Sequence, residues 1–300
     1  MSDTSHTPNP EALALYQQAR ELRATGKSRH HPDIIRLCRR AVEIDPRYAN
    51  PWALLGVCQT LMGFDSAQGE DGSEATEKAL ALDPDLGEAH AVKGRVLIGA
   101  GRPAEAKAEI ERALQLSPDS YDVNAAAARY FIAIKNYGDA IRHLTRCEGL
   151  MEADVWAVGM ALQCHEARND RPGARLAAEH AMARIDKVLA ADPGHADALG
   201  FGVTALIRLG RGAKALEWAE RALQLSPDNR NLQYNMACAM VQLGKFDRAV
   251  ELLEPVSEVA GRQGIEWLKV DTDLDPIRKG PRFKAMLERA EARLATLSPP

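Results

Sequence analysis

Residues able to do chemistry are few in this chain, and none stands in a working arrangement. Cys164 and His165 put a thiol beside an imidazole, the parts of a nucleophile and its base. Neighbours on a helix, however, point about 100° apart, so they read as a satisfied pair on a helix surface. His30 and His31 offer two imidazoles beside Pro32, but the ligands that zinc would need in addition are missing nearby. They read as a solvated basic loop. Asp271–Asp275 (DTDLD) resembles a calcium loop in its carboxylates alone, lacking the glycine and the distal glutamate, and reads as a turn. Cys38, Cys58, Cys147, Cys164 and Cys238 are odd in number and never spaced CxxC, which fits reduced, packed thiols. No P-loop, HExxH, GxSxG or GxGxxG occurs. The sequence therefore predicts no catalytic residue, no cofactor and no metal, and a chain that is not an enzyme.

The elements behind these residues are more informative. Hydrophobic residues make up 46% of the 300 and aromatics only 5%, the balance of closely packed helices rather than a sheet sandwich. A net charge of −4 gives no bulk electrostatic footprint for nucleic acid. No apolar run approaches the roughly 18 residues of a membrane helix, and the opening MSDTSHTPNP has no secretory pattern. The expected location is cytoplasmic, without membrane insertion.

Self-comparison is decisive. The nonapeptide ERALQLSPD occurs at both Glu111–Asp119 and Glu220–Asp228, and at the same offset Leu97 matches Leu206, Gly101 matches Gly210 and Ala106 matches Ala215. Units end at Pro46, Pro84, Pro118, Pro193 and Pro227, and one further unit places Glu152 where the proline would stand. Each unit reads as two helices. In the third, Gly101 supplies the left-handed turn, Pro103 opens the second helix, and Ala106, Ile110, Ala113 and Leu114 form its apolar stripe. Pro118 stops it, and Asp119 or Ser120 is placed to cap the next. Units are expected at roughly 11–46, 49–84, 85–118, 121–152, 153–193, 194–227 and 228–261. The second carries a glycine-rich insertion from Gly63 to Gly72. The fifth has extra residues, either around Glu166–Arg175 or in a second helix lengthened to near Ala191.

A helix–turn–helix period of about 34 residues resembles the tetratricopeptide repeat. Trp52, Leu55 and Gly56 match the opening of its first helix, and Ala106, Ala113 and Pro118 match its second. The fold this implies is all-α: a right-handed α-solenoid of helical hairpins with a C-terminal capping helix. The expected organisation is a flexible N-terminus over 1–10, about seven hairpins over 11–261, and a cap over 262–300. The cap's helix would use Phe283, Met286, Leu287, Ala290 and Leu294, with Trp267 and Leu274 packed beneath. The segments NLQYNMACA (Asn231–Ala239), LLEPV (Leu252–Val256) and Asp271–Leu287 also resemble arrays appended to bacterial class III adenylate cyclases and related signalling proteins. That resemblance implies a regulatory module. A cyclase core is not expected, because the first helix follows Met1 almost directly.

In such stacks the first helices line a concave face. Aligning the units puts Arg20, Val57, Arg95, Arg129, Ala161, Thr204 and Cys238 at its middle positions, with Tyr16, Ala53, Ala91, Ala125, Ala157, Gly200 and Tyr234 one turn earlier. Tyr16, Arg20, Arg23, Arg95, Arg129 and Tyr234 are the candidate groove residues. The arginines predict an acidic or carboxylate-terminated peptide held by forked guanidinium contacts. The competing reading pairs them with neighbouring acids such as Glu88 or Asp122. The expected function is a non-enzymatic interaction module for a protein or peptide partner, with self-association left open. The alternative is the regulatory part of a cyclic-nucleotide enzyme whose catalytic domain lies elsewhere.

Overall fold

The computed structural model describes residues 7–62 and 70–297. Among them every regular element is helical. Hairpins follow in chain order: α1 (Pro10–Ala24) and α2 (His31–Ile44), α3 (Ala49–Leu61) and α4 (Ser73–Leu82), α5 (Gly87–Gly99) and α6 (Pro103–Leu116). Next come α7 (Tyr121–Ala133) and α8 (Tyr137–Leu150), α9 (Trp156–Ala167) and α10 (Arg171–Ala191), α11 (Ala196–Arg208) and α12 (Gly212–Leu225), α13 (Arg230–Gln242) and α14 (Phe246–Val259). Then follow α15 (Arg262–Val270), the short α16 (Asp275–Arg278) and α17 (Pro281–Leu297). The extra residues of the fifth hairpin therefore lengthen its second helix. Residues 1–6 of the expected flexible start, and 63–69 of the insertion, lie outside the described residues.

Local chemistry sets the turns. Gly101, Gly210 and Gly244 all take positive φ (+70°, +73° and +69°) at the bend between the two helices of a hairpin. An L side chain is strained there, and glycine is not. Ser120 stands at the cap position of α7, but its side chain makes no capping bond. Asp119 instead pairs with Arg146. A different tie recurs between hairpins. Trp52, His90, Asn124 and Gln233 each stand six residues after a unit-ending proline, and each places a side-chain nitrogen 2.6–3.2 Å from that proline's carbonyl oxygen. One position thus serves a carbonyl that would otherwise lack a partner, using four different residue types.

Packing depends on small residues. Ala106 and Ala113 are fully buried, and a Cβ on Gly94 would come within 2.6 Å of Ile110 Cδ1. Helix axes approach closely only where such side chains face each other. Ala53, Ala91, Ala125 and Ala157, expected to point into the groove, are buried in this packing as well.

The chain divides into two compact units, one ending at Arg184 and the other beginning at Ile185. In the second, Phe283, Met286 and Ala290 of α17 are buried, as the expected cap requires, and so is Leu274. Trp267 corrects the expectation: it is 52% exposed. On α15 the buried positions are Ile265 and Leu268, three apart on one face, which turns the intervening indole outward.

Candidate functional site

Within the first unit, the first helices of the first, third and fourth hairpins bring three of the predicted arginines within electrostatic reach of one another. Arg23, in the last turn of α1, donates from Nη2 to Asp122 Oδ1 at 2.5 Å, three hairpins further along the chain. This span is possible because the turn after α1 meets the segment before α9. Gly26, at φ +68°, lies so close that a Cβ would stand 3.0 Å from the Ala153 carbonyl oxygen. The guanidinium of Arg23 also lies 5.1 Å from the centre of the Tyr121 ring. Its Nε is buried with no hydrogen-bond partner.

Arg95, on α5, donates from Nη2 to the Thr60 carbonyl at 2.9 Å, in the last turn of α3. That end of a helix carries partial negative charge. Arg129, on α7, lies 3.8 Å over the Trp156 ring, and its bond to the Ala125 carbonyl is long at 3.4 Å. Neither Arg95 nor Arg129 has a carboxylate in ion-pairing range among the described residues.

The acids nearby are already committed. Asp122 is paired with Arg23, both side chains being less than one-fifth exposed (19% and 13%). Asp154 accepts the Tyr121 hydroxyl at 2.8 Å and the backbone N–H groups of Trp156 and Ala157 at 3.1 and 3.0 Å, so it caps α9. Electrostatics follow this layout. Burial disfavours the charge on Arg23, but Asp122, Tyr121 and Cys58 together outweigh it and the pKa rises. Burial, then the neighbouring Arg129, drives the pKa of Arg95 well down; burial lowers that of Arg129 too.

His31 corrects an expectation. It is no solvated loop residue but the first residue of α2, half-buried, with its pKa pushed down to about 3 by burial and then by Arg23. The imidazole is therefore neutral at pH 7 and adds no charge. His30, in a 3-10 turn at Ser28–His30, lies 2.9 Å from the Thr25 hydroxyl. Cys164 is likewise corrected: it is buried, with its pKa raised to about 11, while His165 faces Asp170 at 2.8 Å.

The remaining groove candidates sit elsewhere. Tyr16 packs edge-on against Tyr48, ring centres 5.3 Å apart, and burial pushes its hydroxyl pKa up to about 12. Arg20 is exposed, and its charge acts on those two tyrosines. Tyr234 belongs to the second unit. Its hydroxyl bonds Asp271 and accepts from Trp267 Nε1 at 2.6 Å. Asp271 also caps the turn at Thr272–Leu274, and with Cys238 and Asp273 it presents three ligand-type atoms within 4.8 Å of one another. Sequence spacing missed this grouping, because Cys238 and Asp271 lie far apart along the chain. Tyr121, Asp154 and Trp156 were missed too. The visible signal for Tyr121 and Trp156 was an aromatic ring at the start of a helix otherwise rich in alanine.

With this geometry in view, comparison with known proteins places the fold. Two tetratricopeptide-repeat family models match, one over residues 97–147 and 206–270, the other over 173–230, so the chain carries tetratricopeptide repeats in those stretches. Similar solved structures agree. A human IFIT1 dimer with m7Gppp-AAAA aligns with a TM-score of 0.64 at 17% identity, covering 95% of this chain and 72% of that one. Cut9, in an APC/C hetero-tetramer with Hcn1, aligns with a TM-score of 0.60 at 14% identity, covering 92% of this chain and 55% of that one. No curated protein matches. The fold is an all-α solenoid of tetratricopeptide type. None of these comparisons carries the expected likeness to cyclase-linked arrays.

Proposed function

We propose that the chain is a non-catalytic interaction module whose first unit holds an acidic segment of a partner protein against Arg23, Arg95 and Arg129. Tetratricopeptide proteins are generally scaffolds that bind on extended helix faces. The observation carrying the proposal is that, among the described residues, only Arg23 of these three half-buried guanidinium groups has an ion-paired carboxylate. Buried charge is costly when left unpaired, and a guanidinium fork is suited to carboxylate or phosphate. The competing reading of intramolecular pairing accounts for Arg23 and Asp122. It leaves Arg95 and Arg129 unexplained.

Affinity purification from the native cell, comparing wild type with Arg95→Gln/Arg129→Gln, tests this. Loss of specific partners from the variant is the expected result. A variant that is folded and retains every partner would remove the groove from consideration.

A further inference from the structure

We infer that the Arg23–Arg95–Arg129 cluster is the seat of a doubly charged phosphomonoester carried on a peptide, rather than of a single carboxylate. The inference rests on the interaction reading above and narrows its ligand.

Charge counting supplies the first argument. Arg23 is balanced by Asp122 at 2.5 Å. The carboxylate of Asp154 is held by the Tyr121 hydroxyl and two backbone N–H groups and makes no ion pair with Arg95 or Arg129. His31 sits beside the cluster as a neutral imidazole. Two guanidinium groups, those of Arg95 and Arg129, remain without an ion-paired acid among the described residues. A carboxylate would leave one of them uncompensated. A phosphomonoester carries about −1.5 to −2 at neutral pH and has three acceptor oxygens, so it balances both.

Donor supply is the second argument. A guanidinium has five N–H donors. Arg95 uses one on Thr60, Arg129 makes only a long bond to Ala125, and Nε of Arg23 is buried without a partner. Donors on three helices are thus still unused, more than the two oxygens of a carboxylate would take.

The third argument separates a peptide from a nucleic acid. Single-stranded nucleic acid is held by basic grooves together with aromatic faces on which bases stack. Here the Trp156 ring is covered by Arg129, and the Tyr121 ring faces Arg23. Each of these two rings thus has one face taken by a guanidinium. The net charge of −4 also offers no broad basic track for a phosphate backbone.

The test uses the full chain and four probes at fixed ionic strength and pH 7.5, read by isothermal titration. They are N-acetyl-phosphoserine-N-methylamide, the corresponding aspartate compound, inorganic phosphate and 5′-phosphorylated tetra-adenylate. The phosphoserine probe is expected to bind at least tenfold more tightly than the aspartate probe, and tighter than inorganic phosphate. It should lose at least tenfold in Arg95→Gln/Arg129→Gln and keep its affinity in Arg20→Gln, an exposed arginine outside the cluster. Should the double variant fail to fold by circular dichroism, Arg95→Lys/Arg129→Lys keeps the charge and removes the fork. A severalfold loss is expected there as well.

Equal binding of aspartate and phosphoserine would overturn the phosphate inference while leaving the acidic-peptide reading standing. Tighter binding of the tetra-adenylate than of the phosphoserine probe would overturn both, in favour of a nucleic-acid ligand. Unchanged phosphoserine affinity in the folded variants, or no heat with any probe, would show that the cluster is not an anion seat.

Discussion

The arginine cluster of the first unit and the tyrosine–aspartate cluster of the second are both polar groups gathered under helices, yet their accounts close differently. Around Asp271 the chain answers its own needs. The carboxylate accepts the Tyr234 hydroxyl and the Asp273 N–H, and Trp267 donates to the same tyrosine. Around Arg95 and Arg129 the positive charges have no acid to meet. A closed account is what structural polar networks show, because a half-satisfied one costs more than an apolar core. An open account is tolerated in a binding face, where a ligand completes it. The contrast therefore distinguishes architecture from recognition more sharply than residue type does, since both clusters draw on residues that first helices would present to the groove.

The largest effect should come from breaking the closed network. Asp271→Ala leaves the Tyr234 hydroxyl without its acceptor and uncaps the turn at Thr272–Leu274. A loss of about 2–4 kcal/mol is expected from unsatisfied groups of this kind, measured as a lower urea midpoint. Phosphoserine binding should be untouched. If stability were unchanged, the distinction drawn between the clusters would fail on its structural side.

Asp122→Asn comes next and moves two observables in opposite directions. Arg23 loses its acid, and breaking a mostly buried pair should cost about 1–3 kcal/mol, reduced by the residual exposure of both side chains. The cluster gains net positive charge at the same time. Affinity for the phosphoserine probe should rise even as the melting temperature falls. A variant weaker in both would show that Asp122 helps to hold the ligand and does not merely balance Arg23.

The alternation of helices and the left-handed glycines were legible in the sequence because local chemistry sets them. Gly101 and Gly210 mark their turns at the same place in each repeat, and the prolines mark the ends. Three of the arginines were also legible as members of one face, since repeat register places equivalent residues on equivalent surfaces. Which of them converge was not. Arg23 reaches Asp122 because the turn at Gly26 meets Ala153, a contact between segments over a hundred residues apart that no local pattern encodes. For the same reason Arg20, one turn earlier on α1, took the aligned middle position of the groove although it is exposed. The interhairpin tie to the proline carbonyl stayed hidden because tryptophan, histidine, asparagine and glutamine share a donor and nothing else that alignment detects.

His31 gives an effect of another kind, absent at neutral pH and growing as pH falls. Its folded pKa is about 3, depressed from the model-peptide value near 6.5 by burial and then by Arg23. Below about pH 6.5 the unfolded chain therefore takes up a proton that the folded chain refuses until about pH 3. Stability attributable to this group is complete above pH 6.5 and is lost as pH falls through that window, by up to about 1.4 kcal/mol per pH unit. His31→Gln should flatten the fall in melting temperature between pH 6 and pH 4. Parallel wild-type and variant curves would mean that the imidazole is solvated and charged, which would also raise the positive charge assigned to the cluster.

The smallest expected change in stability belongs to Arg95→Gln, and it is the most discriminating. The substitution removes one hydrogen bond to the Thr60 carbonyl, worth about 1 kcal/mol net. It also removes a desolvated charge that stands beside Arg129 with no acid of its own, and relief of that penalty acts in the opposite direction. The two should cancel to within about 1 kcal/mol, so the urea midpoint of the unliganded protein stays close to wild type or rises. Added phosphoserine probe should then separate the proteins, stabilising wild type by mass action and leaving the variant behind. An arginine kept for architecture would behave in the reverse way, destabilising the unliganded chain when removed and leaving the response to the probe intact.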